Sequence, residues 1–190
     1  MLEVLLEKEQ LIASGLHRQC YEHPDNHDLC LKVVVNGDMT ESNREEQYYT
    51  QMQRKKVPWT HIPAFHGVVR SNLGRGAAFT LIRNADGAVS QTLETLPQDS
   101  SAMESLGSTA LREALEDLRQ YLLRHSILTM TVKPKNIAVQ MLGKHKARLI
   151  IVDNLGCADF LPLAKYISAL ARRKTQRRWQ RFIEKLQHAL

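Results

Sequence analysis

At 190 residues, 43% hydrophobic and 24% charged, the chain is long enough to bury a sizeable core as one domain or two closely packed lobes. No apolar run approaches the about 20 residues that cross a bilayer, MLEVLLEKEQL does not resemble a secretory signal, and Cys20, Cys30 and Cys157 form no CxxC pair, so a reduced cytoplasm is expected and a Cys/His metal cage is not. The net charge of +6 is local: residues 172–190 hold seven Lys or Arg and one Glu, leaving nineteen basic and nineteen acidic residues elsewhere, so the charge does not argue for specific nucleic-acid binding.

Residues 9–35 predict a β-meander. LIASGLHRQCYEHP carries a glycine turn, and LCLKVVV follows the polar turn HPDNHD. In that strand Leu29, Leu31, Val33 and Val35 share one face, and Cys30, Lys32 and Val34 share the other. The lysine is either an edge-strand cation snorkelling to water or a charge placed for a purpose. TESNREEQYYTQMQRKK at 40–56 predicts a polar helix capped by Thr40 or Ser42, with acids early and bases late, ended by Pro58. Residues 65–70 and 77–82 predict a hairpin joined by SNLGRG. The Ser/Thr-rich stretch 88–107 predicts a loop with a short helix, and a hinge between an N-lobe (1–87) and a C-lobe (108–190). Leu111, Leu115, Leu118 and Leu122 mark an amphipathic helix over 108–124. TVKPKN then leads into two strands, NIAVQM and ARLIIVD, and the chain is expected to be helical from about Leu163. The order of elements is α+β.

Four pieces of this order could serve phosphoryl transfer, which needs a cation on the phosphates, a group holding that cation, and oxygen ligands for Mg²⁺. Lys32 supplies the first and Glu45, on the next helix, the second. Asn136 and Asp153 supply the ligands, since a hairpin between them would hold both at one end. Each residue also has a plainer reading. Asp153 would cap a turn, Asn136 would order its loop through the backbone, Lys133 would be a solvated charge, and Cys30 a small buried side chain.

Together these segments resemble the protein-kinase-like fold and, more closely, the bacterial YrbL family, described as a PhoP regulatory network protein. The resemblance covers about residues 9–186 and implies a two-lobed fold with a minimal helical C-lobe. LCLK at 29–32 resembles the kinase VAIK strand, which makes Lys32 the phosphate lysine and Cys30 the small residue against the adenine. Glu45 in NREEQYY would pair with Lys32, with Glu46 as its rival. TMTVKPKN at 129–136 resembles HRDLKPxN and keeps Lys133 and Asn136. VDNLG at 152–156 stands for DFG with one extra residue, so Asp153 would be the principal Mg²⁺ ligand. Thr131, however, occupies the position of the catalytic aspartate, and losing a general base costs about 10²–10⁴ in rate. ASGLHR keeps only Gly15 of the glycine-rich loop, and 37 residues after Asp153 seat no full activation segment.

The resemblance therefore implies a degenerate kinase-like domain binding ATP and Mg²⁺ in a regulatory role. The alternatives are an active phosphotransferase on a small molecule or peptide, and a nucleotide-independent interaction module. In ARRKTQRRWQRFIEKL, Trp179, Phe182, Ile183 and Leu186 share one helical face. That face either docks on the C-lobe with the arginines in water, or belongs to a basic amphipathic helix that meets an acidic protein, a membrane surface or nucleic acid.

Overall fold

The computed structural model describes residues 3–15, 17–156 and 168–187. The expected helical onset at Leu163, and Cys157, lie outside them. Among the described residues no helix is long and apolar enough to cross a membrane. The fold is α+β, and the chain divides into two compact units, Met1–Trp59 with Pro63–Ile82, and Thr60–Ile62 with Arg83–Leu190.

The first unit is an antiparallel sheet with one helix. Strands β1 (Leu11–Ser14), β2 (Arg18–His23), β3 (Asn26–Val34), β4 (Phe65–Ser71) and β5 (Gly74–Thr80) lie in the order β1-β2-β3-β5-β4. β3 is thus the middle strand, which corrects the edge-strand reading of Lys32. It begins at Asn26, inside the expected turn HPDNHD, because His23 pairs with Asn26 and leaves two residues to turn. Period-two alternation sends Leu31 and Val33 into a core with Leu6, Tyr21 and Ala78. The opposite face carries Arg18, Cys20, Cys30 and Lys32, since Cys20 stands across from Lys32 and Arg18 across from Val34.

Helix α1 (Thr40–Arg54) covers part of that second face, burying Glu45, Tyr48, Tyr49 and Met52. The Tyr49 ring meets Phe79 edge-on at 4.9 Å and Phe65 at 5.9 Å. Neither expected cap is used. Met39 stands at the N-cap, the Asp38 carboxylate accepts the Thr40 N–H at 2.9 Å, and the Ser42 hydroxyl donates to Glu46 at 3.1 Å. Asp38 thereby caps from one residue further out, and these bonds to Thr40 hold its carboxyl below the usual range.

Residues 88–107 all belong to the second unit. They hold a 3-10 turn, Leu96–Gln98, and helix α2 (Ser100–Leu106), capped by Asp99, whose carboxylate accepts from the Ala102 N–H at 3.0 Å. Gly107 takes φ +72° between α2 and α3 (Ser108–Arg124), a conformation that favours glycine. α3 buries Ala110, Leu111, Ala114, Leu118, Tyr121 and Leu122, with Leu115 half-buried, and packs on the hairpin β6 (Ile137–Gly143) and β7 (Lys146–Ile151). His61 joins this unit. Its Nδ1–H donates to the Leu149 carbonyl at 2.8 Å, and its ring lies 5.0 Å from Tyr121. Helix α4 (Ser168–Gln187) buries Thr175, Trp179, Phe182 and Leu186 and leaves Arg172, Arg173, Arg177 and Arg181 exposed.

Candidate functional site

In the first unit, a central strand and a helix bring a lysine and a glutamate together out of water. Lys32 is 9% exposed, and Glu45 is 4% exposed. Lys32 Nζ donates to Glu45 Oε1 at 3.3 Å and lies 4.7 Å above the Phe79 ring, a cation–π contact that adds to its hold. The rival Glu46 is engaged elsewhere, since Arg75 grips both of its oxygens at 2.8 and 2.6 Å. The helix spacing explains the division. Neighbouring residues on a helix point about 100° apart, so only one of two consecutive acids can face Lys32.

Glu45 also holds a second cation. The Arg18 guanidinium donates to Glu45 Oε2. Arg18 was not among the residues expected from sequence. Its role depends on strand register, and a one-residue slip of β2 would turn it to the opposite face. Gly15, the expected phosphate cradle, donates its amide N–H to the Arg18 carbonyl at 2.8 Å and so closes the β1–β2 turn. Cys30 is buried next to Cys20. A hydrogen bond with that thiol, together with burial, pushes the Cys30 thiol well above its ordinary range, which keeps it protonated.

In the second unit, the loop and the strand end expected to carry metal ligands meet at one end of the β6–β7 hairpin. Ile137 pairs with Ile151, and just beyond that pair the Val152 N–H donates to the Asn136 carbonyl at 2.9 Å. Asp153, half-buried, follows directly. Asn154 takes φ +63°, a left-handed turn that asparagine tolerates. Beyond the turn the segment pairs with 128–130. Met130 N–H donates to Asn154 O at 2.7 Å, and Gly156 N–H to Leu128 O at 2.8 Å. The two expected motif segments are thus laced together by backbone.

Asn136 is 5% exposed, and its Nδ2 has no hydrogen-bond partner. Leaving a buried amide unmatched costs about 1–3 kcal/mol. Turned over about its terminal bond, the same carboxamide would present its oxygen there. An amide oxygen and one carboxylate are the kind of ligands that suit Mg²⁺, which takes few protein groups and leaves the remaining positions to water and phosphate. Thr131 is exposed, and its hydroxyl accepts from Asn154 Nδ2 at 3.4 Å. Lys133 is exposed as well. Among the described residues no group of three His, Cys, Asp or Glu side chains could hold a metal.

The sequence profile of the family described as PhoP regulatory network protein YrbL matches residues 4–187. The chain belongs to the YrbL family. Two YrbL proteins, from Escherichia coli (strain K12) and Shigella flexneri, are each 32% identical to it over 183 residues, covering 95% of this chain and 86% of each relative. In this YrbL-family chain the terminal helix also reaches the site loop. The Thr175 hydroxyl donates to Ile127 O at 2.8 Å, and the Arg178 guanidinium donates to Thr129 O. Sequence reasoning placed the aromatic face of α4 but gave no sign of these two contacts, because they depend on how the helix is rotated against residues 127–129.

Proposed function

We propose that this chain is a degenerate protein-kinase-like domain that binds ATP with Mg²⁺ and acts as a regulatory protein. In this reading Lys32 meets the phosphates and Glu45 holds its ammonium in place. Asn136 and Asp153 hold the metal, whose charge would neutralise the phosphate oxygens. The observation that carries the reading is the Lys32–Glu45 pair, buried at the centre of a sheet beside Phe79. Burying two such charges is a poor route to stability alone, so the pair is better explained by a ligand it serves. The unmatched amide of Asn136 supports the metal half.

Thr131 at the position of the catalytic base favours binding over catalysis, because a threonine hydroxyl takes up no proton at neutral pH. The regulatory role follows the family description, and an acidic partner would meet the exposed arginines of α4. Thermal melts with ATP and Mg²⁺ test the proposal. Ligand at 100 times its dissociation constant adds about 2.7 kcal/mol of stability. The gain should vanish in Lys32→Ala and in Asp153→Ala. A melting temperature indifferent to millimolar ATP–Mg²⁺ would leave the nucleotide-independent interaction module as the better account. γ-Phosphate transfer that Thr131→Asp accelerates would identify the missing carboxylate as the limit on catalysis.

A further inference from the structure

We propose that Cys20 and Cys30 form a peroxide-reactive thiol pair, which closes to a reversible disulfide between β2 and β3 on the face of the sheet that carries Lys32. This chemistry belongs to the sulfurs alone and needs no nucleotide.

Strand register brings the two thiols together. Cys20 stands across from Lys32 and Cys30 across from Glu22, so the cysteines are diagonal neighbours on one face of the β2–β3 pair. Their side chains share a hydrogen bond, which sets one sulfur against the other. Neither is in a disulfide. Cys30 is 6% exposed and Cys20 is half-buried, so an oxidant as small as hydrogen peroxide meets Cys20 first. The hydrogen bond, with burial, keeps Cys30 protonated and reserves it for the second step. A more accessible thiol beside a second, resolving one is the arrangement that redox-sensing cysteines use.

In the first step the Cys20 sulfur attacks one peroxide oxygen. The O–O bond breaks, and the departing hydroxide takes the thiol proton as water, which leaves Cys20 a sulfenic acid. The Cys30 sulfur then attacks the Cys20 sulfur. The S–O bond breaks, and its hydroxide leaves as water with the Cys30 proton. Two thiols give up two electrons in all, and one peroxide becomes two waters.

Closure also moves the strands. Diagonal neighbours lie about 7–8 Å apart, whereas a disulfide takes Cα atoms about 4.4–6.8 Å apart. The register shift between Glu22 and His23, beside the Glu22–Cys30 pair, gives the backbone slack at that place. A bridge that pulls on its strands is more readily reduced than a relaxed one, so a dithiol reductant opens it again. Cys30 carries Lys32 with it, two residues along the same strand.

Mass spectrometry of the full native chain, in a Cys157→Ser background, tests the proposal. Hydrogen peroxide should remove two hydrogens from the chain, and cleavage after Glu22 should leave the Cys20 and Cys30 peptides joined until a dithiol is added. Cys20→Ser should leave Cys30 a thiol under the same treatment. Cys30→Ala should carry Cys20 on to the sulfinic acid, with no bridge. Mapping of the native chain and of Cys20→Ser decides the matter even where Cys30→Ala does not fold. Thiols that persist under peroxide sufficient to oxidise glutathione would overturn the proposal. So would a bridge that joins two chains, or one that forms only in urea.

Discussion

Glu45 and Glu46 are adjacent acids with different surroundings, and the difference has a measurable consequence. Glu45→Gln removes the carboxylate that Arg18 and Lys32 share, a loss of about 3–5 kcal/mol for a broken buried pair. Glu46→Gln breaks a pair whose Arg75 side chain is 38% exposed, which is worth less than about 1 kcal/mol. Urea unfolding of the two variants should separate them clearly, and similar midpoints would contradict the assignment. His61 gives a second residue-scale outcome. Burial holds its imidazole below the ordinary range, the nearby Arg148 adds to this, and the Leu149 hydrogen bond and Asp117 oppose it. The unfolded chain therefore binds the proton first, at about pH 6.5, and stability declines as the pH falls from there toward the lower folded value. The melting temperature should drop between pH 7.5 and 5.5, and less steeply in His61→Asn; parallel profiles would acquit His61. Lys32 was legible as a cation set in an apolar strand, and Glu45 only through the family resemblance, with Glu46 as its rival. Arg18 was not, since its face is a matter of pairing between strands rather than of local pattern.

Among the elements, the β3–β5 pair sets where Lys32 stands. Gly76 lies opposite Val33, and a Cβ built there would sit 2.7 Å from the Lys32 carbonyl oxygen. That oxygen is backbone and cannot swing aside, so Gly76→Ala must push the two strands apart. Overpacking of this kind costs about 1–3 kcal/mol and displaces Lys32 with its strand. The variant should unfold at lower urea and, on the nucleotide reading proposed above, lose ATP affinity as well; a wild-type urea midpoint would show that the strands separate freely. Helices and strands were the most legible level. The leucine spacing of α3 and the alternation in β3 each follow from burial on one face. Turns and caps were less so. The hairpin ends at two residues rather than six, and Asp38 rather than Thr40 or Ser42 tethers α1, because such choices turn on hydrogen bonds a residue or two away.

Across the whole molecule, positive charge is concentrated on the outer face of α4. Replacing Arg173, Arg177 and Arg181 by Glu takes the net charge from +6 to 0, each reversal removing two. All three side chains are exposed, so the melting temperature should move little. On the reading proposed above, any acidic protein that the native chain retains at low salt should be lost. Wholesale unfolding would instead show that these arginines hold the domain together. The α+β class was readable from the order of patterns alone, and the membership of a short segment such as Thr60–Ile62 in the second unit was not, because long-range pairing decides it.

The grip of α4 on residues 127–129 has a consequence for how the protein is born. The first unit has all its strands once residue 82 has been synthesised. The second gains the bonds to the Ile127 and Thr129 carbonyls, and the cover of Trp179 and Phe182, only after residues 175–182 have left the ribosome. Vectorial synthesis thus lets the sheet bearing Lys32 mature first, while the loop bearing Asn136 waits for a helix some forty residues further along the chain.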